Sequence, residues 1–307
     1  MCHVGVLEQP GSVDAGNTHT DSLDLEKQRG ITIQSSLVSF QINQTKINLI
    51  DTPGHADFIS EVERALAVID AVVLVISAAE GIQAQTRLLM NTLKRLKKPA
   101  LIFVNKIDRI GAQSLALIKE INQSLQIVAL PMVRVNDIGT KKVSVSHLTT
   151  KDKDYYRELM DALISQSDTF LEKCIDNNLS ITKSDFLDQI ILQTSHASFY
   201  PVYFGSAVTG VGIDALCIGI EHYLPSKQHN IEAACEGMVF KIEYDSKELP
   251  MAYINLTSGQ LKHRENIKLY RQIYGENKSI TEKISNLNSK PAFAENFIFV
   301  VGLNGFG

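Results

Sequence analysis

The sequence predicts an α/β fold, a doubly wound and mostly parallel sheet, followed by part of a small antiparallel β-barrel. Two textures predict it. Between positions 46 and 207 short β-branched runs recur, KINLI, AVVLVIS, ALIFVNK and PVYFGSA, each followed by a turn and a helical pattern. Runs apolar at nearly every position mark strands buried on both faces, as in a parallel sheet covered by helices. After LPSKQHN the texture changes, and GMVFKIEY, MAYINLTSGQL and ENIKLYRQIY alternate apolar and polar residues with Gly and Asn turns between them. Alternation at period two is the mark of antiparallel strands. At 307 residues the chain has room for two domains, expected over 1–230 and 231–307.

The intervening elements follow from spacing. Phe58, Val62, Leu66 and Ile69 recur at helical intervals, as do Leu89, Leu93 and Leu96. The second of these helices ends in KRLKK before Pro99, with cations at its negative end and a breaker beyond. A solvated helix end is the expected reading of KRLKK, ahead of an RNA contact. Tyr155 and Tyr156, beside KDKD, are expected to begin a helix. The strands before VVGLNGFG are too few to close a barrel, so that domain is expected to be incomplete.

Composition narrows the function classes. Hydrophobic residues make up 44% and charged residues 21%, as in a globular protein with a buried core, and the net charge of −4 gives no pull toward DNA or an anionic membrane. The apolar run AVVLVISAA is far short of the ~20 residues that cross a bilayer. Cys2, Cys174, Cys217 and Cys235 form no C-x-x-C pair, which points to reduced thiols and a cytoplasmic location, and the histidines form no ligand set.

Three short motifs carry chemistry, each at the end of a predicted strand. DTPGH, Asp51 to His55, follows KINLI. An aspartate there can hold Mg²⁺ through water, and the Gly54 amide can approach a γ-phosphate with no Cβ in the way. NKID, Asn105 to Asp108, follows ALIFV. The Asp108 carboxylate can accept from the N1 and N2 donors of guanine, a pair that adenine lacks; the Lys106 stem can lie along the base plane, and Asn105 can tie loops together. GSA, Gly205 to Ala207, ends PVYF, where backbone amides at Ser206 and Ala207 can meet a base carbonyl. Any one motif alone is also a plain turn. Three in this order at three strand ends indicate a guanine-nucleotide site.

With those residues, the sequence resembles the translational GTPases of the elongation factor G family. Thr20–Ser36, TDSLDLEKQRGITIQSS, is most similar to the tetracycline-resistance ribosomal protection proteins. The resemblance implies a P-loop-GTPase-type sheet, hydrolysis of GTP to GDP with Mg²⁺, and action on the ribosome through rRNA and ribosomal proteins. It implies that RGITI belongs to the first switch loop, that Thr32 coordinates Mg²⁺, and that His55 positions the attacking water.

GSVDAGNT, Gly11 to Thr18, meets the phosphate-loop spacing G-x-x-x-x-G-K-[ST] except that Asn17 stands at the lysine. A working loop follows a buried strand and opens a helix. MCHVGVLEQP is a poor strand, and NTHTDSLDLEKQRG lacks an apolar stripe. The resemblance instead matches Gly11–Gln34 to the first switch region. The expectation is a sheet lacking its first strand and phosphate loop, these lying upstream of Met1, and weak GTP binding by this chain alone. Two other readings stay open: elongation factor G or a release-factor-like GTPase, which the GSVDAGNTHTD segment argues against, and a non-hydrolysing remnant or interaction module.

Overall fold

A computed structural model describes residues 35–43, 45–53, 59–149, 151–176, 181–224, 230–244, 248, 250–273, 276–284 and 298–302. The chain divides into two compact units, 1–226 with 296–307, and 227–295.

The first unit is built on five parallel strands. β1 (Ser36–Ile42) and β2 (Thr45–Asp51) form an antiparallel hairpin in which Ser36 faces Asp51. β3 (Ala71–Ser77) and β4 (Ala100–Asn105) pair in parallel, and Ala71 through Leu74 and Ala100 through Ile102 are wholly buried. That two-sided burial is what the unbroken apolar runs predicted, because helices cover both faces. With β5 (Ala129–Pro131), β8 (Tyr200–Phe204) and β13 (Ile298–Gly302), the sheet runs in the order β13-β3-β4-β8-β5, every neighbouring pair parallel. A short antiparallel hairpin, β6 (Val133–Asn136) with β7 (Ser144–His147), forms a separate two-stranded sheet.

The helices follow from their apolar stripes and caps. α1 (Ile59–Val68) buries Val62, Ala65 and Leu66, with Ile69 just beyond. α2 (Ala84–Arg95) starts in a capping box between Gln83 and Thr86 and buries Leu89, Met90 and Leu93, while Leu96 is an exposed C-cap. Its basic end is solvated at Arg95 and Lys97, as expected from KRLKK, but Lys94 and Lys98 are half-buried and engaged. Lys94 Nζ donates to Leu125 O at 3.0 Å and Gln126 O at 3.3 Å, and Lys98 Nζ donates to Ile69 O at 2.7 Å. The Leu125 and Gln126 carbonyls close α3 (Leu115–Leu125), so this lysine of one helix satisfies orphan acceptors of the next.

α4 (Lys153–Ile164) begins at Asp152, whose side chain accepts from Tyr155 N, and buries Tyr155 as the KDKDYY reading expected. α5 (Asp168–Asp176) and α6 (Lys183–Ser195) are joined by the Lys173–Asp185 ion pair. α7 (Ile213–Tyr223) starts at Gly212, φ +79°, where a Cβ would meet Phe204 O at 2.1 Å. Only glycine passes that close to the end of β8. The described cysteines, Cys174, Cys217 and Cys235, are unpaired thiols.

The second unit contains antiparallel strands, as the period-two texture predicted. β9 (Glu236–Tyr244) pairs with β10 (Pro250–Ser258), and β11 (Asn266–Ile273) with β12 (Glu276–Lys283). The first hairpin is bulged between Tyr253 and Ile254 and stitched by Tyr253 Oη donating to Glu243 at 2.7 Å. Among the described residues, no helix is long and apolar enough to cross a membrane.

Candidate guanine-nucleotide site

Because β4 and β8 are parallel neighbours with Val104 opposite Phe204, their carboxyl ends lie side by side. Ligands of open α/β sheets bind at such ends. Two of the sequence motifs begin there, and Asn105 knots them together. Its buried Oδ1 accepts from Lys106 N at 2.8 Å and from Ala207 N at 2.9 Å. Its backbone O accepts from Ala78 N at 2.8 Å, which brings in the turn after β3. One asparagine therefore holds three strand ends in register.

The remaining contacts set the loop shapes. Ile107 is wholly buried, donates to Gly205 O at 3.3 Å and accepts from Gly139 N at 2.8 Å. This anchor leaves the next residue, Asp108, half-buried with no hydrogen-bond or ion-pair partner among the described residues. Lys106 has a left-handed φ of +65° and is 7% exposed. Its Nζ lies 2.8 Å from Glu80 Oε1.

On the facing loop, Ser206 is 1% exposed and turned into its own backbone, its N–H donating to Val211 O at 2.9 Å and its Oγ accepting from Thr209 N at 3.2 Å. A Cβ at Gly205 would fall 2.5 Å from Val211 O and 2.8 Å from the Phe103 ring, so this position requires glycine. Ala207 is exposed, and its amide is engaged by Asn105, so a base carbonyl would have to share that donor. Ile110, 93% exposed, follows the first loop and Val208, 79% exposed, follows the second.

Asn105, Lys106, Asp108, Ser206 and Ala207 are thus brought together. Asp51 stands elsewhere, half-buried at the end of the β1–β2 hairpin. Beside it Thr52 is 2% exposed, and among the described residues neither Thr52 Oγ1 nor Ser36 Oγ has a hydrogen-bond partner. Thr32, Gly54, His55 and the segment Gly11–Thr18 lie outside the described residues. No group of three or more His, Cys, Asp or Glu able to hold a metal ion occurs among the described residues. A magnesium site would rest on single oxygen donors with phosphate and water, the usual habit of that ion. Sequence reasoning missed Glu80. The signal available was a carboxylate in AAEGI, directly after the strand AVVLVIS.

The comparisons with known proteins bear on this geometry. The model of the elongation factor Tu GTP-binding domain matches residues 1–226. The chain belongs to that family. Of the relatives, an oxytetracycline resistance protein of Streptomyces rimosus is 45% identical over 268 residues, 87% of this chain and 40% of the relative. The tetracycline resistance protein TetP of Clostridium perfringens is 41% identical over 290 residues, 94% of this chain and 43% of the relative. The chain therefore spans about two-fifths of the length of these relatives. A crystal structure of a Thermus thermophilus protein shares the fold with a TM-score of 0.74 at 21% identity, covering 92% of this chain and 48% of the other. The resemblance drawn from RGITI, DTPGH and NKID is borne out at the level of the family.

Proposed function

We infer that this chain is the guanine-nucleotide portion of a ribosome-acting GTPase of the tetracycline-resistance kind, at work in the cytoplasm. The observation that supports the reading is the Asn105 knot, which with Ile107 N donating to Gly205 O joins the loop bearing the half-buried Asp108 to the Gly205–Ala207 loop, Asp108 having no hydrogen-bond or ion-pair partner among the described residues. Asp108 accepts from N1–H and the 2-amino group of guanine. The Lys106 stem lies along the base, and Ser206 and Ala207 shape the facing wall. Adenine offers no such donor pair and would leave a desolvated carboxylate unmatched. The names of the relatives support a part in tetracycline resistance, and action on the ribosome rests on the resemblance carried by Thr20–Ser36.

On the phosphate side, Asp51 and Thr32 hold Mg²⁺, the Gly54 amide meets the γ-phosphate, and His55 orients the attacking water. The carboxylate of Asp51 and the Thr52 hydroxyl beside it, which has no partner among the described residues, suit a hard, oxygen-seeking cation. Bound Mg²⁺ supplies neutralisation of the charge that builds on the phosphate oxygens. Because GSVDAGNT is switch-loop sequence and not a phosphate loop, GTP binding by this chain alone falls short of micromolar affinity, and Asn17→Lys does not raise it.

Titration with GDP, ADP and xanthosine diphosphate tests the reading. GDP is expected to bind ahead of ADP, and Asp108→Asn to weaken GDP by about tenfold to a hundredfold. The same variant should gain xanthosine diphosphate, whose 2-carbonyl can accept from the new amide. Equal binding of ADP and GDP by the unaltered chain would overturn it.

A further inference from the structure

Glu80 is built into the base corner more firmly than a surface ion pair requires. After β3 the chain turns back on itself, with Gly81 N donating to Ser77 O at 3.0 Å and Glu80 N to Ser77 Oγ at 3.3 Å. Gly81 adopts φ +70° to allow the turn. The turn delivers the Glu80 carboxylate to Lys106, Oε1 lying 2.8 Å from Nζ. The other oxygen, Oε2, accepts from Gln83 Nε2 at 3.1 Å, and Gln83 is the N-cap of α2. Both carboxylate oxygens are thus committed, one to the lysine and one to a helix terminus.

The lysine it holds is an unusual one. Its backbone is left-handed and its side chain is 8% accessible, against 35% for Glu80. A lysine ammonium that loses a charge-assisted contact is less restrained, and so is the flexible stem that carries it. The Glu80 contact therefore helps keep the stem in one place before any ligand arrives, which removes part of the ordering cost from binding.

We propose that Glu80 is a positioning residue for nucleotide recognition. It fixes the Lys106 ammonium so that the lysine stem stands as a preordered apolar wall against the purine. The proposal rests on the guanine-site reading above and deepens it. Glu80 meets no edge of the base, so it governs how tightly a purine is held and not which purine is chosen. Choice belongs to Asp108.

The test uses the whole 307-residue chain with GDP and inosine diphosphate, which lacks the 2-amino group. Glu80→Gln is expected to weaken both nucleotides by the same factor, about tenfold for the loss of a charge-assisted contact, leaving their ratio unchanged. Glu80→Asp should recover part of the loss. In a Lys106→Met background, which retains an unbranched apolar stem, Glu80→Gln should have almost no further effect. Thermal melts of each variant separate lost folding from lost positioning, because lost folding would not spare the Lys106→Met background. An unchanged GDP affinity in Glu80→Gln, a changed GDP-to-inosine diphosphate ratio, or an undiminished loss in the Lys106→Met background would each overturn the proposal alone. Failure of the unaltered chain to bind GDP even at millimolar concentration would overturn the guanine reading and this one with it.

Discussion

The carboxyl ends of β4 and β8 differ from the carboxyl end of β2 in how their polar atoms are spent. In the first place Asn105, Lys106 and Ser206 are buried, and each is hydrogen-bonded within the protein. In the second, the hydroxyls of Thr52 and Ser36 are buried and lack partners among the described residues. A group of paired atoms holds its shape without a ligand, whereas an unpaired buried hydroxyl destabilises until something bonds it. The base corner is thus assembled by folding alone. The corner expected to meet phosphate and metal leaves hydrogen-bonding capacity unused.

Mutations can break that contrast from either side. The largest effect is expected from Asn105→Ala, which strands the Lys106 and Ala207 amides and uncouples two loops. A loss of about 2–4 kcal/mol is expected, which lowers the melting temperature by roughly 5–15 °C. A melt shifted by less than a degree would mean the knot does not hold the corner. Gly205→Ala comes next. Its Cβ would press on Val211 O and Phe103, and overpacking of that kind costs about 1–3 kcal/mol, to be read from urea unfolding.

Thr52→Val tests the other corner and should act in the opposite direction. Replacing an unpaired buried hydroxyl by a methyl of the same shape should leave stability unchanged or raise it by up to about 1 kcal/mol. A clear loss of stability in the nucleotide-free chain would show that the hydroxyl is bonded after all.

The smallest expected effect lies away from both corners, at the start of α6. The Lys173 ammonium, with the Thr182 hydroxyl and amide, holds the Asp185 carboxyl down at about 2, below the ordinary 3.8. A depressed carboxyl contributes stability that is complete above its unfolded value and is lost as pH falls toward about 2. Carbon-detected NMR should find the Asp185 midpoint well below that of a free aspartate, with Lys173→Met moving it up. The melting temperature should barely respond, since this pair lies at the surface with Lys173 exposed and Asp185 partly so.

Much of the first unit was legible in the chain. The run AVVLVIS became β3 over the expected residues and ALIFVNK became β4 short of its last residue, because a strand buried on both faces must be apolar along its length. PVYF and KINLI became β8 and β2 to within a residue at either end. The short β5, β6 and β7 escaped notice, since three or four residues cannot display a period. Leu96 shared the spacing of Leu89 and Leu93 yet is exposed, because the helix has ended by that position and Lys97 turns left-handed. Lys94 and Lys98 of KRLKK looked solvated because nothing local reveals that Leu125 and Ile69 present carbonyls to them.

By itself the sequence determined the strand ends and the residue types expected to meet a guanine there, because both follow from local rules. Burial on two faces demands unbroken apolar runs, and a two-donor base edge demands a carboxylate. Tertiary structure alone decided which groups share a hydrogen bond across long intervals. The join of Asn105 to Ala207 and of Lys106 to Glu80 depends on parallel strand order, as does the pairing of Ile298–Gly302 alongside β3. Sheet order is a property of the whole packed chain, and no short stretch of residues carries it.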